Sequence, residues 1–409
     1  MLALSVLRRV HRGAFAAPVL SEALDRSDLV GADRSLVTDL VYGTLRHQLG
    51  LDASLAPHLR RPDKLPPDVR DALRIGSYEI LHRDTPRRAA VNEWVEIVKR
   101  QTKGLAGLVN AVLRKVETPE PLAPHLRYGV PAWLYAEWEA LFGQERAPDV
   151  AAGMAEPEPL WLTSYHPQAS HTLIQEGCEV RLGPVEHTLA VRAPKPLQQL
   201  DTYQKGWVQP QNPTSTLPVR LLEPLPHDRV LDLASGNGIK AAQLASLGAR
   251  PLSVDIDQNK LGRAARNLAR LGFEADSLAH DLRTPPNVPP SDKILLDAPC
   301  TGTGTLRGNP EIRLRVTPEG RDELVALQRQ LLTTAAELTA PDGLLVYAVC
   351  ALTEAEGIGM VSWFLAAHPE FHAEPFILDL PTHTAPQGSY ILPLGGLDGF
   401  FIARLRRES

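Results

Sequence analysis

The chain has 409 residues, a formal net charge of −5, 44% apolar residues and 22% charged residues. That balance excludes a mainly disordered chain, and the length allows roughly two to four domains. No stretch approaches the ~18 consecutive apolar residues of a membrane helix. The opening residues place their apolar run ahead of Arg8 and Arg9, the reverse of a secretory signal, so a cytoplasmic location is expected.

Residues 1 to about 117 read as helical throughout. Leu4, Leu7 and Val10 recur at helical spacing, as do Leu36, Leu40, Val41 and Leu45. Leu73, Ile75, Tyr78 and Leu81 follow, then Val95, Ile97 and Val98, then Leu105, Leu108, Val109, Val112 and Leu113. Gly13, Pro18, Pro66-Pro67, Pro86 and Gly104 break these runs. The pattern predicts an all-α bundle of about six or seven helices with arginine clusters on its surface: Arg8, Arg9 and Arg12; Arg60, Arg61 and Lys64; Arg83, Arg87 and Arg88. Residues 1–130 carry 20 basic and 15 acidic residues, net +5, which leaves the remainder at −10. A basic part on an acidic remainder points weakly to a polyanionic partner.

Residues 118–131 form a proline-rich linker, and a short helix is expected around Trp133 to Phe142. Strand-like runs at 160–165, 179–182 and 188–192, with a helix from Ala169 to Glu176, predict a small α+β unit. From Asp228 the rhythm becomes β–α–β. Five apolar runs end at the loop after Leu233, at Asp255, at Asp281, at Asp297 and at Cys350. Helices are expected at 239–247, 258–271 and 320–338, so the strands should form a parallel sheet covered on both faces. The runs at 390–393 and 400–405 resemble a closing antiparallel hairpin. In such sheets ligands bind beyond the carboxyl ends of the strands.

The first of these strand ends reads Asp232-Leu-Ala234-Ser235-Gly236-Asn237-Gly238-Ile239-Lys240. Small residues let backbone approach a ligand, and the following helix offers free N–H groups. The loop has neither GxGxxG nor GxxxxGK[ST]. Asp255 ends the second strand, where a carboxylate can accept both hydroxyls of a ribose. This arrangement suits an adenosine ligand without a polyphosphate, and S-adenosylmethionine is favoured over a nicotinamide dinucleotide. A helix-capping Asp232 and a strand-end Asp255 are the structural alternative.

Cys178, Cys300 and Cys350 are the three cysteines, too few for a disulfide framework and without a CxxC pair for a metal. Cys300 lies in Asp297-Ala-Pro-Cys300, and Cys350 in Tyr347-Ala-Val-Cys350, close to Glu354 and Glu356. Two cysteines are therefore expected at the mouths of adjacent strands; singly each reads as a small buried residue, and together at the ligand edge beside an acid they point to reactive thiols.

These two cysteine motifs and the 232–240 loop resemble the signatures of the RNA cytosine-C5 methyltransferases. Residues 34–46, 90–99 and 107–116 are similar to a NusB-like N-terminal domain. Together they place the chain nearest the bacterial 16S ribosomal RNA cytosine-C5 methyltransferases of the RsmB (Sun/Fmu) type. The family's loop usually reads Cys-Ala-Ala-Pro-Gly-Gly-Lys, where this chain has Ala234-Ser-Gly-Asn-Gly-Ile-Lys240; Val349 and Ala351 replace the usual neighbours of the second cysteine. The resemblance implies three domains: a NusB-like helical RNA-binding domain at 1–130, a small α+β (RRM-like) subdomain at 131–210, and a class I (Rossmann-like) α/β methyltransferase domain at 211–409.

It implies S-adenosylmethionine as cofactor, no metal, and a monomer acting on unassembled or early-assembly 16S ribosomal RNA. Cys350 would be the nucleophile, Cys300 would assist product release and Asp297 would hydrogen-bond the cytosine edge. Ala234 to Lys240 would hold the methionine end of the cofactor, Asp255 its ribose and Asp281 its adenine amino group, with Asp297 bordering the same pocket. Arg307 is expected near the target nucleotide or the catalytic loop, or else in a surface salt bridge. A transfer-RNA cytosine methyltransferase and a non-catalytic ribosome-assembly factor are the alternatives.

Overall fold

A computed structural model describes residues 1–102, 104–157 and 159–409. The chain separates into two compact units, Met1–Pro157 with Leu306–Arg315, and Glu158–Thr305 with Val316–Ser409. Among the described residues no helix is long and apolar enough to cross a membrane.

The first unit is helical. Its elements are α1 (Leu2–His11), α2 (Ala16–Asp25), α3 (Gly31–Leu55), α4 (Pro67–His82), α5 (Arg87–Gln101), α6 (Ala106–Leu113), α7 (Pro124–Arg127), α8 (Ala132–Phe142) and α9 (Ala147–Ala155). The apolar stripes read from the sequence are the buried faces: Leu4, Leu7 and Val10 of α1 pack with Val41 and Leu45 of α3, Leu73 and Ile75 of α4, and Val109 and Leu113 of α6. Gly43 lets α3 close on α4, because a Cβ there would stand 2.0 Å from the Tyr78 ring. A polar tie crosses the same helices. Arg74 grips both oxygens of Asp52 at 2.7 Å and reaches Asp71 at 3.0 Å, and Asp71 meets His11 at 3.2 Å.

The sequence-based boundary at 130 falls inside this unit. Helix α7 lies against α3, where Gly50 leaves room for the Leu126 carbonyl, so the chain goes on packing past the proline-rich linker. The unit also takes in a distant segment, 306–315. The Arg313 guanidinium, fully buried, donates to the carbonyls of Arg46, Met154 and Leu306 at 2.5, 3.0 and 2.9 Å. Burial pushes its pKa down, to about 9. Glu311 accepts the first N–H of α2 at 2.9 Å, and Arg315 donates to the Val10 carbonyl at 2.7 Å. Arg307, expected near the target nucleotide or the catalytic loop or else in a surface salt bridge, forms an ion pair with Glu156 at 3.3 Å, but its side chain is buried in this unit rather than on the surface. Of the arginine clusters, Arg9, Arg12, Arg60, Arg61, Lys64 and Arg88 are exposed. Arg83 pairs with Asp39 at 2.6 Å, and Arg87 caps the end of α6 through the Leu113 and Val116 carbonyls.

The second unit contains two sheets. The smaller has the order β2-β3-β1-β4, antiparallel throughout, from β1 (Leu160–Ser164), β2 (Glu179–Leu182), β3 (Thr188–Arg192) and β4 (Val208–Pro210), with α10 (Ala169–Gln175) and α11 (Asp201–Gln204) in its connections. Leu162, Leu173, Leu189, Val191 and Val208 form its core, joined by Cys178.

The larger sheet follows α12 (Pro213–Leu222). Its parallel strands are β5 (Arg229–Leu233), β6 (Arg250–Asp255), β7 (Asp276–Ala279), β8 (Ser291–Asp297) and β9 (Thr339–Val349). Helices α13 (Ile239–Ser246), α14 (Gln258–Leu271) and α15 (Pro318–Leu338) make the crossovers, and α16 (Ile358–Ala367) follows β9. Four antiparallel strands complete it: β10 (Phe371–Glu374), β11 (Thr382–Ala385), β12 (Gly388–Ile391) and β13 (Phe400–Arg407). The order is β11-β12-β13-β9-β8-β5-β6-β7, with β10 also on β13. The chain order reverses between β5 and β8, so the loops after these two strands part and open a crevice there. Buried Leu231, Leu233, Val254, Leu295, Val346 and Ala348 make the central strands apolar on both faces. This is the Rossmann-like domain that the β–α–β rhythm predicts.

Candidate active site

The loop after β5 is shaped by three left-handed residues, Ala234 (φ 57°), Gly236 (φ 58°) and Gly238 (φ 72°). Ala234 carries a Cβ in that region and so stores strain of about 1–3 kcal/mol. Gly238 begins α13 where a Cβ would lie 2.6 Å from that of Ala264 on α14. Only glycine fits both the turn and the close approach. The Gly236 N–H donates to Asp255 Oδ2 at 2.9 Å, while Asp255 Oδ1 accepts from the Asp257 N–H at 2.8 Å. Each oxygen of the buried Asp255 thus holds one backbone bond and keeps further acceptor capacity. Asp281, just beyond β7, is gripped by Arg283 at 2.9 and 3.0 Å, which pulls its carboxyl down to about 2.

Asp232 differs from its neighbours. It is fully buried on β5, and neither carboxylate oxygen has a hydrogen-bond partner among the described residues. Burial pushes its carboxyl up to about 7; Lys240 opposes that rise, and Asp297 and Asp255 add to it.

Lys240, in the first turn of α13, bonds Asp297 Oδ2 at 2.5 Å and Ser215 Oγ at 3.2 Å, and stands 5.5 Å from the centre of the Phe400 ring. It therefore links the β5 loop to the end of β8. Ser215 and Phe400 carry no sequence signal of this role, because each reaches the site from a distant element.

The loops after β8 and β9 hold the two cysteines. The sheet ladder continues past β8 through the Ala298 N–H and the Ala348 carbonyl at 2.9 Å, which aligns the two loops. The Gly304 N–H then donates to the Cys350 carbonyl at 2.9 Å, and the Leu352 N–H to Thr303 Oγ1 at 2.9 Å. Cys300 Sγ and Cys350 Sγ are 3.4 Å apart, partly exposed and not disulfide-bonded. The hydrogen bond with Cys350, burial and the charge of Glu356 hold the Cys300 pKa well above that of a free thiol. Either sulfur can be the donor in this contact. Cys178 sits apart in the small-sheet core. Thus Asp232, Lys240, Asp297, Cys300 and Cys350 gather around the β5–β8–β9 edge, with Asp255 and the 234–239 turn beside them and Asp281 on the next strand outward.

Residues 219–406 match the family model of the 16S rRNA methyltransferases RsmB/F, and residues 1–118 match the NusB family. The ribosomal RNA small subunit methyltransferase B of Thermus thermophilus is 44% identical over 407 residues, 99% of this chain and 97% of that relative. The chain belongs to the ribosomal RNA small subunit methyltransferase B family. The Pseudomonas putida protein of that name is 31% identical over 94% of this chain and 93% of its own length. The crystal structure of PH0851 is similar along nearly the whole length, with a TM-score of 0.85 at 25% identity, covering 99% of this chain and 97% of that one. NSun6 from Pyrococcus horikoshii, solved with SFG, shares the fold over 68% of this chain and 98% of its own, with a TM-score of 0.62 at 20% identity. In this family member the NusB match ends within the helical unit. The methyltransferase match begins inside α12 and covers every residue of the site except Ser215.

Proposed function

We propose that this chain transfers a methyl group from S-adenosylmethionine to C5 of a cytosine in 16S ribosomal RNA, through a covalent bond between Cys350 and C6 of the base. The observation that carries the reading is the pair of sulfurs 3.4 Å apart beside the Lys240–Asp297 ion pair. Membership of a ribosomal RNA methyltransferase family supports it.

The residues at the β5–β6 edge fit S-adenosylmethionine. A turn of small residues exposes backbone at the start of a helix, a strand-end carboxylate keeps acceptor capacity, and the orphaned Asp232 carboxylate lies behind the turn. Ala234 to Lys240 would hold the methionine end, Asp255 the ribose hydroxyls, and Asp281 the adenine amino group in competition with Arg283. The cofactor supplies an electrophilic methyl group when bound.

Cytosine C5 is a poor nucleophile, and the chain's own residues correct this. The Cys350 thiolate adds to C6, and the C5=C6 electron pair moves into the ring as N3 takes a proton. The ring becomes an enamine with nucleophilic C5. Asp297, steadied by Lys240, hydrogen-bonds the N3/N4 edge and stabilises that adduct. After methylation the C5 proton leaves to a base, its electron pair restores C5=C6, the C6–S bond breaks with its pair returning to Cys350, and N3 gives back the proton it took. The protonated Cys300 donates a hydrogen bond to the departing sulfur. The base must leave any stack to reach the site, so single-stranded or loop RNA is the substrate form. The helical unit grips flanking phosphates through its exposed basic residues, and the protein works as a cytoplasmic monomer.

Purified protein with S-adenosylmethionine should label unmethylated small-subunit RNA at a cytosine located by bisulfite mapping. Label appearing only in DNA, protein or transfer RNA overturns the substrate assignment. Replacing Arg60, Arg61 and Lys64 together by Ala should weaken RNA binding and lower its salt slope by about 0.7 for each lost phosphate contact. This triple variant is a cleaner probe than deleting the N-terminal part, because segment 306–315 is built into the helical unit.

A further inference from the structure

The loop that carries Cys300 has no helix or strand between Asp297 and Pro310. Something outside it must hold its sulfur against Cys350. Beside the backbone bonds already described, one side chain collects most of the side-chain bonds that do so. The Glu356 carboxylate is fully buried. It accepts from the Thr301 N–H at 2.8 Å, Thr301 Oγ1 at 2.6 Å, Thr353 Oγ1 at 2.8 Å and Gln328 Nε2 at 3.1 Å. Gln328, on α15, also donates to the Pro299 carbonyl at 2.9 Å, so it braces the residue before Cys300 while it bonds the carboxylate. Tyr347, at the end of β9, donates to the Glu356 carbonyl at 2.8 Å.

We propose that Glu356 is a positioning residue: its buried carboxylate bolts the Cys300 loop to the Cys350 loop and sets the distance between the two sulfurs. The inference rests on the reading of those cysteines as the reacting pair, and it assigns the residue that prepares them. Two features separate this from ordinary core packing. Both carboxylate oxygens are engaged by donors from the loops after β8 and β9 and from α15, with Thr301 adjacent to Cys300. The carboxylate also faces Cys300 without a neutralising cation among its bonding partners. Its charge helps to keep Cys300 protonated. The groups around the Cys300 thiol are Cys350, Glu356 and the Gly302 N–H, which favours the thiolate; Tyr347 lies within their field. A negative charge bonded to the residue next to Cys300 bears on that sulfur's proton, which the proposed hydrogen-bond donor must keep.

The test uses the full-length protein without RNA or cofactor, so it is independent of the proposed reaction. Initial rates of iodoacetamide alkylation at Cys300 and Cys350 are read by peptide mass spectrometry across pH, with buried Cys178 reporting on folding. Glu356→Gln keeps the size, removes the charge and offers one acceptor oxygen in place of two. It should shift the Cys300 profile to lower pH by about one unit, about a tenfold rise in rate at fixed pH, with Cys178 still protected. Glu356→Asp, which keeps the charge but falls short of Thr301, should shift the profile less. If Glu356→Gln exposes Cys178, Thr301→Val replaces it and should raise reactivity selectively at Cys300. Profiles that superimpose on wild type in a folded variant overturn the proposal. In turnover assays Glu356→Gln should lower kcat and leave the KM for S-adenosylmethionine unchanged, and an equal change in both also overturns it. Absence of any RNA adduct in a Cys300→Ala variant would instead count against the proposed reaction and leave the alkylation result standing.

Discussion

Two buried carboxylates lie near the same edge of the large sheet, Asp232 on β5 and Glu356 in the loop after β9 with β8 between them, and their surroundings are opposite. Asp232, behind the β5 turn, has no hydrogen-bond partner on either oxygen among the described residues. Glu356, behind the cysteine loops, has four donors. A buried polar group without partners is costly and persists where a ligand or function gives a return. A satisfied one rigidifies what it touches. In the proposed reaction the β5 edge is the side that takes the cofactor, while the loops after β8 and β9 are braced before the base binds.

The largest expected effect lies on the braced side. Cys350→Ala should reduce methyl transfer by about a thousandfold or more and form no RNA adduct, since the covalent route is lost. Cys300→Ala should still form the adduct and accumulate it, visible as a denaturation-stable protein–RNA band on a gel. Reversed behaviour of the two variants would exchange their roles.

Lys240→Met cuts the link between the two edges. It should lower turnover by about 10–100-fold with the fold intact by circular dichroism, because Asp297 loses the ammonium that steadies it. An unchanged rate would mean the 2.5 Å ion pair is incidental to the reaction.

On the cofactor side, Gly238→Ala forces a Cβ into Ala264 at positive φ. A loss of about 1–3 kcal/mol in denaturant unfolding is expected, with weaker cofactor binding by calorimetry. Tolerance of alanine would show that α13 and α14 can separate.

The smallest effect is a pH slope. Asp232 titrates near 7 in the folded protein and near 3.8 when unfolded. Between those values the native state holds a proton that the unfolded state has released. Stability from this group is therefore complete below about pH 4 and lost as pH rises through 7. Asp232→Asn should flatten that slope and gain about 1–3 kcal/mol near pH 8 relative to wild type, read from urea melts at several pH values. Saturating S-adenosylmethionine should reduce the difference if the cofactor gives Asp232 a partner.

Most of the elements, and most of the site's members, can be read from local pattern. Helical spacing marks the stripes of α1, α3 and α4, and α14 runs over the expected 258–271, where the structure shows Asp257 and Gly272 as its caps. The runs ending at Asp255, Asp297 and Cys350 identify strand ends because a parallel strand is an apolar run with a polar terminus. Short or exposed elements leave less trace. Strands β10 and β11 are four residues each with little burial, and α9 is a stretch of alanines and glycine whose partners come from elsewhere. Glu356 is visible as an acid near Cys350, but its donors lie at 301, 328 and 353, and no spacing rule joins those positions.

By itself the sequence determined the order of the longer helices and of the strands that build the site, the small-residue turn, and which of those strands end in sulfur or carboxylate. These follow from near-neighbour preferences and from the period of apolar residues, which act over a few positions along the chain. The tertiary structure alone decided the 3.4 Å approach of the sulfurs, the reach of Lys240 to Asp297, the isolation of Asp232, and the burial of Arg307 and Arg313 in the helical unit. Each of these depends on groups about 50 or more residues apart meeting in a close-packed interior, or on what that interior excludes.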